Sequence, residues 1–238
     1  MADNTTSHAA ADYERAVADV IPFHAVILEQ VVDAALGAVP APRRWLDTGC
    51  GPGRLVEIAR ARALDASFVL ADPSNAMLAL ARARHADLPA ERFVAVPSHE
   101  LPQIEPFDVI TAVLCHHYYR DEPSHETPGP AGRAAALRRC RALLRPGGAL
   151  VTVENVRAET DAGHVLQRRR WEAWQRGRGR SENTIAAHMV REGTQFFPLR
   201  PSTLRAVIEA SGFEPVEMIW RAHGQAGFLA IAAAGGAS

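Results

Sequence analysis

The chain has 238 residues, 47% of them hydrophobic, and its 26 lysines and arginines nearly balance its 27 aspartates and glutamates. This length and composition are typical of one α/β domain with a sizeable core. The net charge of −1 argues against a general attraction to nucleic acid or to a membrane surface.

The first residues and the cysteines bear on the cellular compartment. The opening sequence MADNTTSHAAADYERAVADV contains acids and lacks the basic start and apolar run of a signal peptide. The chain also lacks an unbroken apolar run of membrane-spanning length, so we expect no membrane span and a cytoplasmic protein. The cysteines Cys50, Cys115 and Cys140 show no C-x-x-C spacing and predict reduced, mostly buried thiols.

A helical segment over residues 9–36 comes first, and short apolar segments typical of strands then alternate with longer amphipathic ones typical of helices. The strand-like segments are RRWLDTG (43–49), SFVLADP (67–73), RFVAVPS (92–98), FDVITAVLC (107–115), GALVTVEN (148–155), PVEMIWRA (215–222) and GFLAIAAA (227–234). The helix-like segments are RLVEIARARAL (54–64), SNAMLALARARHA (74–86), GRAAALRRCRALLRPGG (132–148) and RPSTLRAVIEASGF (200–213). This alternation predicts a doubly wound, mainly parallel seven-stranded α/β sheet whose last two strands form an antiparallel hairpin.

Two helical regions fall outside the alternation, namely the N-terminal segment and an insertion over residues 156–198. Both are long enough to fold over a site as lids. We therefore expect a single domain over residues 1–238. Its parts are an N-terminal lid (1–40), a cofactor-binding core (41–155), the insertion (156–198) and a C-terminal helix with the hairpin (199–238).

The first strand ends in a turn that is rich in glycine. In a doubly wound sheet, ligands bind beyond the carboxyl ends of the strands, and the backbone of this turn approaches them closely. Gly49, Gly51 and Gly53 leave out the side chains that would collide there. Asp47 before the turn disfavours a pyrophosphate and favours a cationic ligand. Asp72, at the end of the second strand, is placed to accept hydrogen bonds from ribose hydroxyls.

These motifs resemble those of the class I S-adenosylmethionine-dependent methyltransferases, and the resemblance covers most of the chain. The matching motifs are LDTGCGPG (46–53), VLADPS (69–74), FDVITAVLCHHY (107–118) and LRPGGALVTVE (144–154). The resemblance implies S-adenosylmethionine as the cofactor. The residues it implies as cofactor ligands are Tyr13, Arg15, Asp47, Gly49, Cys50, Gly51, Gly53, Asp72, Pro73, Ser98, His99 and Leu114.

The chain departs from the family pattern where the third strand ends. The family often has an aspartate there that faces the amino group of adenine, whereas this chain has Ser98 in the stretch VAVPSHELP. Adenine recognition then falls to Ser98, to His99 or to a backbone carbonyl.

A narrower resemblance, to the carboxy-S-adenosylmethionine synthase branch, lies near the two ends of the chain. The early element YERAV implies that Tyr13 and Arg15 help to close the cofactor pocket. The arginine that holds the added carboxylate in that branch falls on Met189 here, although Arg191 is near. The architecture can therefore be shared without the reaction.

The cluster CHHYYRDEP follows the fourth strand, at the expected mouth of the acceptor site. His116 or His117 can serve as a general base or shape the site, since histidine changes charge near neutral pH. Strand alternation places Cys115 and His117 on one face, so we favour His117. Structural packing is an alternative, and so is a metal site that uses Cys115, a histidine and His125. Because the usual ligand spacing is missing, we expect no metal.

The insertion contains LQRRRWEAWQRGRGRSEN, in which six arginines surround Trp171 and Trp174. One interpretation is a lid helix whose tryptophans form an apolar stripe and whose arginines form a solvent-exposed face. Alternatives are an RNA groove and arginines that bind an acidic small substrate or a partner subunit. The net charge disfavours the RNA groove.

The function predicted from these features is methyl transfer from S-adenosylmethionine to an enclosed small-molecule acceptor, in an enzyme that can form a homodimer. Transfer from a sulfonium needs mainly alignment of the acceptor with the methyl group. The alternatives are carboxy-S-adenosylmethionine formation and cyclisation of the aminobutyryl chain. Further alternatives are an RNA methyltransferase and a subunit that senses the cofactor without catalysis.

Overall fold

The computed structural model describes residues 12–120 and 132–233. Within them the helices are α1 Tyr13–Val20, α2 His24–Ala38, α3 Arg54–Arg60, α4 Asn75–Arg84, α5 Arg133–Leu143, α6 Asp161–Gly177, α7 Glu182–Met189 and α8 Pro201–Ala210. The strands are β1 Arg44–Thr48, β2 Ser67–Ala71, β3 Phe93–Val94, β4 Phe107–Val113, β5 Leu144–Asn155, β6 Phe213–Ala222 and β7 Gln225–Ala232.

The strands form one seven-stranded sheet in the order β3-β2-β1-β4-β5-β7-β6. The first five strands in this order are parallel, and β7 pairs antiparallel with both β5 and β6. The predicted doubly wound sheet with an antiparallel hairpin is therefore confirmed. The order reverses at β1 and β4, so the turns after these two strands border the crevice where such sheets bind ligands.

The third strand is shorter than the sequence pattern predicts, because it covers Phe93–Val94 alone. The backbone N–H of Val96 donates to the carbonyl oxygen of Val94 at 3.1 Å, so the chain already turns directly after β3, and Pro97 has no N–H with which to resume the ladder. The chain therefore turns into a short 3₁₀ segment at Ser98–Glu100. Ser98 lies in a turn beside the crevice and not at the end of a strand.

Helices cover the sheet on both faces, and neighbouring residues of β1 point to opposite sides. Trp45 packs on one face in a cluster with Val31 and Val32 of α2. Leu46 packs on the other face with Leu137 of α5. The indole N–H of buried Trp45 donates to Thr111 Oγ1 at 3.1 Å, which satisfies its only polar atom.

The two regions expected to act as lids contact each other. The indole N–H of Trp171 in α6 donates to the carbonyl oxygen of Val20 at the end of α1, at 2.6 Å. Val17 and Val20 are both buried in the core. Residues 9–11 of the predicted N-terminal helical segment lie outside the described residues. Among the helices described, none alone is long and apolar enough to span a bilayer, whereas the bent pair α1 and α2 meets that criterion together.

Candidate active site

The turn after β1 contains glycines with a left-handed backbone. Gly49 and Gly51 have φ angles of 65° and 53°, a region that favours glycine. A Cβ on Gly49 would lie 2.3 Å from the Cβ of Cys115, which shows how closely this turn approaches the end of β4. A Cβ on Gly51 would lie 4.0 Å from the ring of Tyr13. The turn thus presents bare backbone to the space under α1.

Asp72, which follows β2, has a carboxylate that backbone N–H groups hold in place. Its Oδ2 accepts from the amide of Gly51 at 2.9 Å, and its Oδ1 accepts from the amide of Ser74 at 2.8 Å. Asp72 is 8% exposed and lines a cavity together with Pro73. The carboxylate is therefore preset in one orientation at the cavity wall, where it can accept hydrogens from hydroxyl groups.

Asp47, the acid before the glycine turn, is buried under a second cavity. Burial raises the pKa of Asp47 to about 7, although the hydrogen bond from Thr111 Oγ1, 2.7 Å long, acts in the opposite direction. The carboxyl group is therefore poised between its charged and neutral forms near neutral pH. A cation beside it would favour the charged form.

Three cavities lie next to one another at this edge of the sheet, within the part of the chain that is described. The glycine-turn cavity, of about 350 Å³, contains Asp47, Gly49, Cys50 and Gly51 in its wall. The third-strand cavity, of about 390 Å³, has Asp72, Pro73, Ser98, His99 and Tyr119 in its wall. The histidine cavity, of about 40 Å³, has His117, Tyr118, Asn155, Arg191 and Phe196 in its wall.

Tyr13 and Leu114 line all three cavities, so the cavities meet at these two side chains. Burial raises the pKa of Tyr13 above its ordinary value, which keeps the hydroxyl protonated. Arg15 instead has a side chain that is 82% exposed and pairs with Asp12 at 2.8 Å. Gly53 is the N-cap residue of α3. Neither Arg15 nor Gly53 lines the glycine-turn cavity or the third-strand cavity.

Ser98 lines the third-strand cavity, but its amide N–H and its hydroxyl are engaged within the protein. The amide donates to the Tyr119 hydroxyl at 3.1 Å. The hydroxyl lies 2.8 Å from Thr48 Oγ1 and 3.1 Å from His116 Nε2. His99 lies beside Ser98, with its Nδ1 3.3 Å from the Tyr119 hydroxyl.

His117 lines the histidine cavity and is held on both ring nitrogens. Its Nδ1 lies 2.8 Å from Glu154 Oε2, which places the proton on Nδ1. Its Nε2 lies 3.2 Å from Asn155 Nδ2, and Gln225 in turn donates to Asn155 Oδ1 at 2.9 Å. The lone pair of Nε2 therefore lies beside the cavity wall that Asn155 forms.

His116 is placed differently from His117. It is 1% exposed and is absent from the walls of the three cavities. Burial lowers the pKa of His116 to about 4, so the ring is neutral at pH 7. The argument from strand alternation does not apply here, because His116–Tyr118 form a 3₁₀ turn and Leu114 faces the cavities. The structure nevertheless sets His117, and not His116, in a cavity wall.

Glu154 is the acid that the sequence analysis missed, although it ends the buried run LVTVE of β5. Its Oε1 accepts from the His116 amide at 3.0 Å, and its Oε2 accepts from the His117 amide at 2.9 Å. Burial opposes ionisation, but the hydrogen bond from His117 and nearby positive charge outweigh it, so the pKa of Glu154 lies below its usual value. An acid at the carboxyl end of a strand was the available signal.

Donor atoms of Cys115, His116 and Glu154 lie within 4.8 Å of one another. Both Glu154 oxygens accept backbone N–H groups, and burial raises the pKa of the Cys115 thiol. A neutral thiol and an occupied carboxylate are poor metal ligands. His125, the further candidate ligand, lies outside the described residues. The expectation of no metal stays a prediction.

Arg191 and Met189, which lie at the end of α7 and just after it, have different surroundings. Arg191 is 8% exposed, lines the histidine cavity, and donates from Nε to Gln195 Oε1 at 2.6 Å. Met189 is buried in the core, where its sulfur lies 3.8 Å from Gln175 Nε2. The guanidinium of Arg191 therefore brings a positive charge to a cavity that also holds His117.

The arginine-rich insertion is laid out as a surface helix. Trp171 is buried, and Trp174 packs beside Phe23 with 5.6 Å between ring centroids. Three of the six arginines form ion pairs, which are Arg168–Glu192, Arg176–Glu182 and Arg178–Asp19. This arrangement agrees with the interpretation that the tryptophans form an apolar stripe and the arginines a solvent-exposed face.

A protein-family comparison matches residues 46–150 to a methyltransferase domain. The chain is also 28% identical, over 213 residues, to the carboxy-S-adenosyl-L-methionine synthase of Wolinella succinogenes, covering 88% of this chain and 85% of the relative. Both matches agree with the motifs that the sequence analysis identified.

Solved structures of the same fold include human N-acetylserotonin methyltransferase in complex with SAM, with a TM-score of 0.62 and 15% identity. The match covers 94% of this chain but only 56% of the human one, so this chain spans little more than half of that protein. The N-methyltransferase NodS of Bradyrhizobium japonicum, with S-adenosyl-l-homocysteine, has a TM-score of 0.57 at 17% identity and covers 90% and 88% of the two chains. The predicted fold and family resemblance are confirmed.

Proposed function

We propose that this chain is a class I S-adenosylmethionine-dependent methyltransferase and transfers a methyl group to a small acceptor molecule. The cofactor would occupy the glycine-turn and third-strand cavities, and the acceptor would enter the histidine cavity. The observation that carries the proposal is His117, which lies in the wall of the cavity that adjoins the other two at Tyr13 and Leu114 and is paired behind that wall with buried Glu154 at 2.8 Å.

The residues present suit this cofactor. The two larger cavities, of about 350 and 390 Å³, have the size of ordinary small-molecule sites. Gly51 borders both, and its missing side chain leaves the space that a Cβ would fill. Asp72 offers a fixed carboxylate to hydroxyl groups, and Asp47 offers one to a cation. When bound, S-adenosylmethionine supplies a methyl group on a positively charged sulfur.

His117 has the arrangement of a general base that a neighbouring acid orients. Glu154 fixes the Nδ1 proton, so Nε2 carries the lone pair that can accept a proton from an acceptor O–H or N–H group. Asn155 holds this lone pair in the resting state and would release it when the proton arrives. Glu154 and Asn155 thus act as positioning residues for His117.

The contacts of α1 and of the insertion support an enclosed site for a small acceptor. Tyr13 of α1 and Arg191 after α7 both line the histidine cavity, whose volume of about 40 Å³ holds only a few water-sized groups. Exclusion of water strengthens the electrostatic interactions that steer transfer. The proposal also includes a cytoplasmic location and a homodimer, both of which are predicted from the sequence.

The test combines methyl-labelled S-adenosylmethionine with a panel of small metabolites. Label that leaves the cofactor and enters an acceptor supports the proposal. His117→Ala should then lower turnover by about 10²–10⁴-fold while the affinity for S-adenosylhomocysteine changes little. The variants His117→Asn and Glu154→Gln test whether His117 acts as a general base or only shapes the cavity. Label recovered only in methylthioadenosine would favour cyclisation and contradict methyl transfer.

A second candidate is formation of carboxy-S-adenosylmethionine: a carboxylic acid donor would lose CO2 by cleavage of its C–C bond, the fragment left behind would take a proton from the methyl carbon, and that carbon would bond to the CO2. Two observations favour it: the 28% identity to such a synthase and the guanidinium of Arg191 in the histidine cavity. Label that stays on a sulfonium product of increased mass would identify this reaction. Arg191→Met should then abolish product formation but leave S-adenosylhomocysteine binding intact.

A further inference from the structure

A fourth cavity lies away from the proposed active site, where α6 meets the turn from β6 to β7 and the turn from α1 to α2. Its volume is about 510 Å³, within the range of small-molecule sites. In the described part of the chain it shares no lining residue with the three cavities above. We call it the hairpin cavity. The wall residues that bear on a ligand are Phe23, Leu166, Arg170, Arg221 and His223.

Two arginines bring positive charge to the hairpin cavity, and the described part of its wall contains no aspartate or glutamate. Arg170 and Arg221 are exposed, and neither forms an ion pair with a residue that the structure describes. Glu159 lies within electrostatic reach of Arg221, but its carboxylate accepts from the N–H and the hydroxyl of Ser202. Because a guanidinium group presents donors in a fork that matches an oxyanion, this wall favours an anionic ligand.

The same wall contains large apolar side chains that are open to solvent. Phe23 is 45% exposed and Leu166 is 59% exposed. The ring centroids of Phe23 and His223 lie 5.9 Å apart, and Trp174 packs against both rings, at 5.6 and 5.9 Å. Aromatic rings beside two arginines suit a ligand that combines an apolar ring with a negative charge.

The backbone holds both wall rings in an unfavourable conformation. Phe23 and His223 have φ angles of 61° and 49°, and Leu114, at the proposed active site, is the one other described non-glycine residue with positive φ. Such strain persists where the surrounding structure fixes it, and it concentrates at functional sites. His223 Nδ1 is also buried without a hydrogen-bond partner among the described residues, so this ring cluster retains hydrogen-bonding capacity.

We propose that the hairpin cavity is a ligand site, separate from the proposed active site, that binds a small aromatic anion. Arg170 and Arg221 pair with its phosphate or carboxylate group, and Phe23 and His223 contact its ring. A single-stranded RNA would offer the same two groups. The net charge of −1 and a wall with two arginines favour one small molecule instead.

The experiment is calorimetry on the full-length protein with α-naphthyl phosphate and with α-naphthoate, which distinguish the two anionic groups. At least one of them should bind about tenfold or more tightly than inorganic phosphate or α-naphthol, because each of these offers only one of the two contacts.

Arg170→Gln and Arg221→Gln should each weaken binding of the aromatic anion by about three- to tenfold, as loss of a partly exposed charge pair does. Arg169→Gln is the matched control and should bind as the wild type does. It removes the same charge from the neighbouring exposed arginine, which is outside the cavity wall. Circular dichroism on each variant shows that the compared proteins are folded.

The imidazole of His223 reports where the ligand binds. Burial and the nearby charge of Arg170 lower the pKa of His223, and an anion bound beside the ring should raise it again. NMR titration of protein with labelled histidine measures this change. His223→Asn identifies the signal, since asparagine tolerates a left-handed backbone.

Four results would overturn the inference. They are no binding of either aromatic anion by the folded wild type, inorganic phosphate binding as tightly as α-naphthyl phosphate, an unchanged pKa of His223 in the saturated protein, and an equal loss of affinity in Arg169→Gln and Arg170→Gln. Tighter binding of oligouridylate, weakened alike by both of these variants, would identify an open basic surface for RNA and would also contradict it.

Discussion

Asp72 and Asp47 are two buried acids of one site, and they are held in different ways. Two backbone amides hold the carboxylate of Asp72, at 2.9 and 2.8 Å. Asp47 has one hydrogen bond, from Thr111, and burial raises its pKa to about 7. The two residues therefore make different predictions, one for ligand affinity and one for the pH dependence of stability.

Asp72→Ala should weaken S-adenosylhomocysteine binding by about 10–150-fold, because hydrogen bonds to a charged group contribute about 1.5–3 kcal/mol. The measurement is calorimetry on a variant whose fold is checked by circular dichroism. Asp87→Ala, which removes an exposed acid paired with Arg60, is the control and should bind as the wild type does. Unchanged affinity in a folded Asp72→Ala protein would remove the ribose assignment.

Asp47→Asn should change how stability depends on pH. The pKa of Asp47 is near 4 in the unfolded chain and about 7 in the folded protein. Its contribution to the free energy of unfolding is therefore fully favourable below about pH 4 and is lost as the pH rises toward about 7. Denaturant unfolding should therefore show the variant gaining stability relative to the wild type between pH 4 and pH 8, by up to about 4 kcal/mol. A constant difference between the two proteins over this range would contradict the raised pKa.

The proposed cofactor half of the site was more readily predicted from the sequence than the proposed acceptor half. Asp47, Gly49, Gly51 and Asp72 form a local pattern in which each residue sits at the end of a readable strand. The role of Glu154 depends on a contact across 37 residues to His117, and no spacing rule reports such a contact. Alternation also failed after Val113, since a 3₁₀ turn replaces the strand there.

The turn after β1 and the stretch of β5 where its register with β4 shifts both contain a glycine with positive φ, but only the first is crowded. Gly49 has φ +65° and a Cβ there would collide with Cys115, whereas Gly147 has φ +77° and open space around it. A glycine-to-alanine substitution at Gly147 measures the backbone strain alone, whereas the same substitution at Gly49 measures the strain together with the collision.

Gly147→Ala should cost about 1 kcal/mol, which is the penalty of a left-handed backbone for a residue with a Cβ. Gly49→Ala adds the collision with Cys115 and should cost at least about 2 kcal/mol in total, as overpacking does. Urea unfolding of both variants gives the comparison. Equal costs at the two positions would mean that the end of β4 can move away from the turn.

α1 contributes to the site through Tyr13, and the neighbouring residue Arg15 gives a control on the same helix. Tyr13→Ala should weaken S-adenosylhomocysteine binding and turnover together, by about tenfold, because it opens all three cavities at once. Arg15→Ala should leave both unchanged, since its side chain is 82% exposed. A loss of binding in Arg15→Ala would instead support the role that the family resemblance implies for Arg15.

The two helical regions that we propose as lids could be identified from the sequence, but the contact between them could not. Both regions stand out because they interrupt the alternation of strands and helices. The hydrogen bond between Trp171 and Val20 joins residues 151 positions apart. Its acceptor is a backbone carbonyl oxygen, which every residue has, so no sequence pattern identifies this partner. This bond makes α1 and the insertion neighbours over the histidine cavity, which both of them line.

Cofactor binding should therefore stabilise α1 and the insertion in concert. A ligand that contacts Tyr13 holds α1, and the Trp171 hydrogen bond passes this restraint to α6 through Val20. Hydrogen exchange with S-adenosylhomocysteine should show increased protection in residues 13–20 and 161–189 together, while residues 213–222 of β6 stay as they are. Elements of low local stability are those where such protection is readily measured.

Trp171→Phe tests whether the hydrogen bond is what couples the two regions. The phenyl ring keeps most of the buried apolar contact but lacks the N–H that donates to Val20. In this variant the ligand should still protect residues 13–20, whereas protection of residues 161–189 should fall toward its ligand-free level. Equal protection of both regions in Trp171→Phe would show that packing around Val17 and Val20 is sufficient to close the insertion over the site.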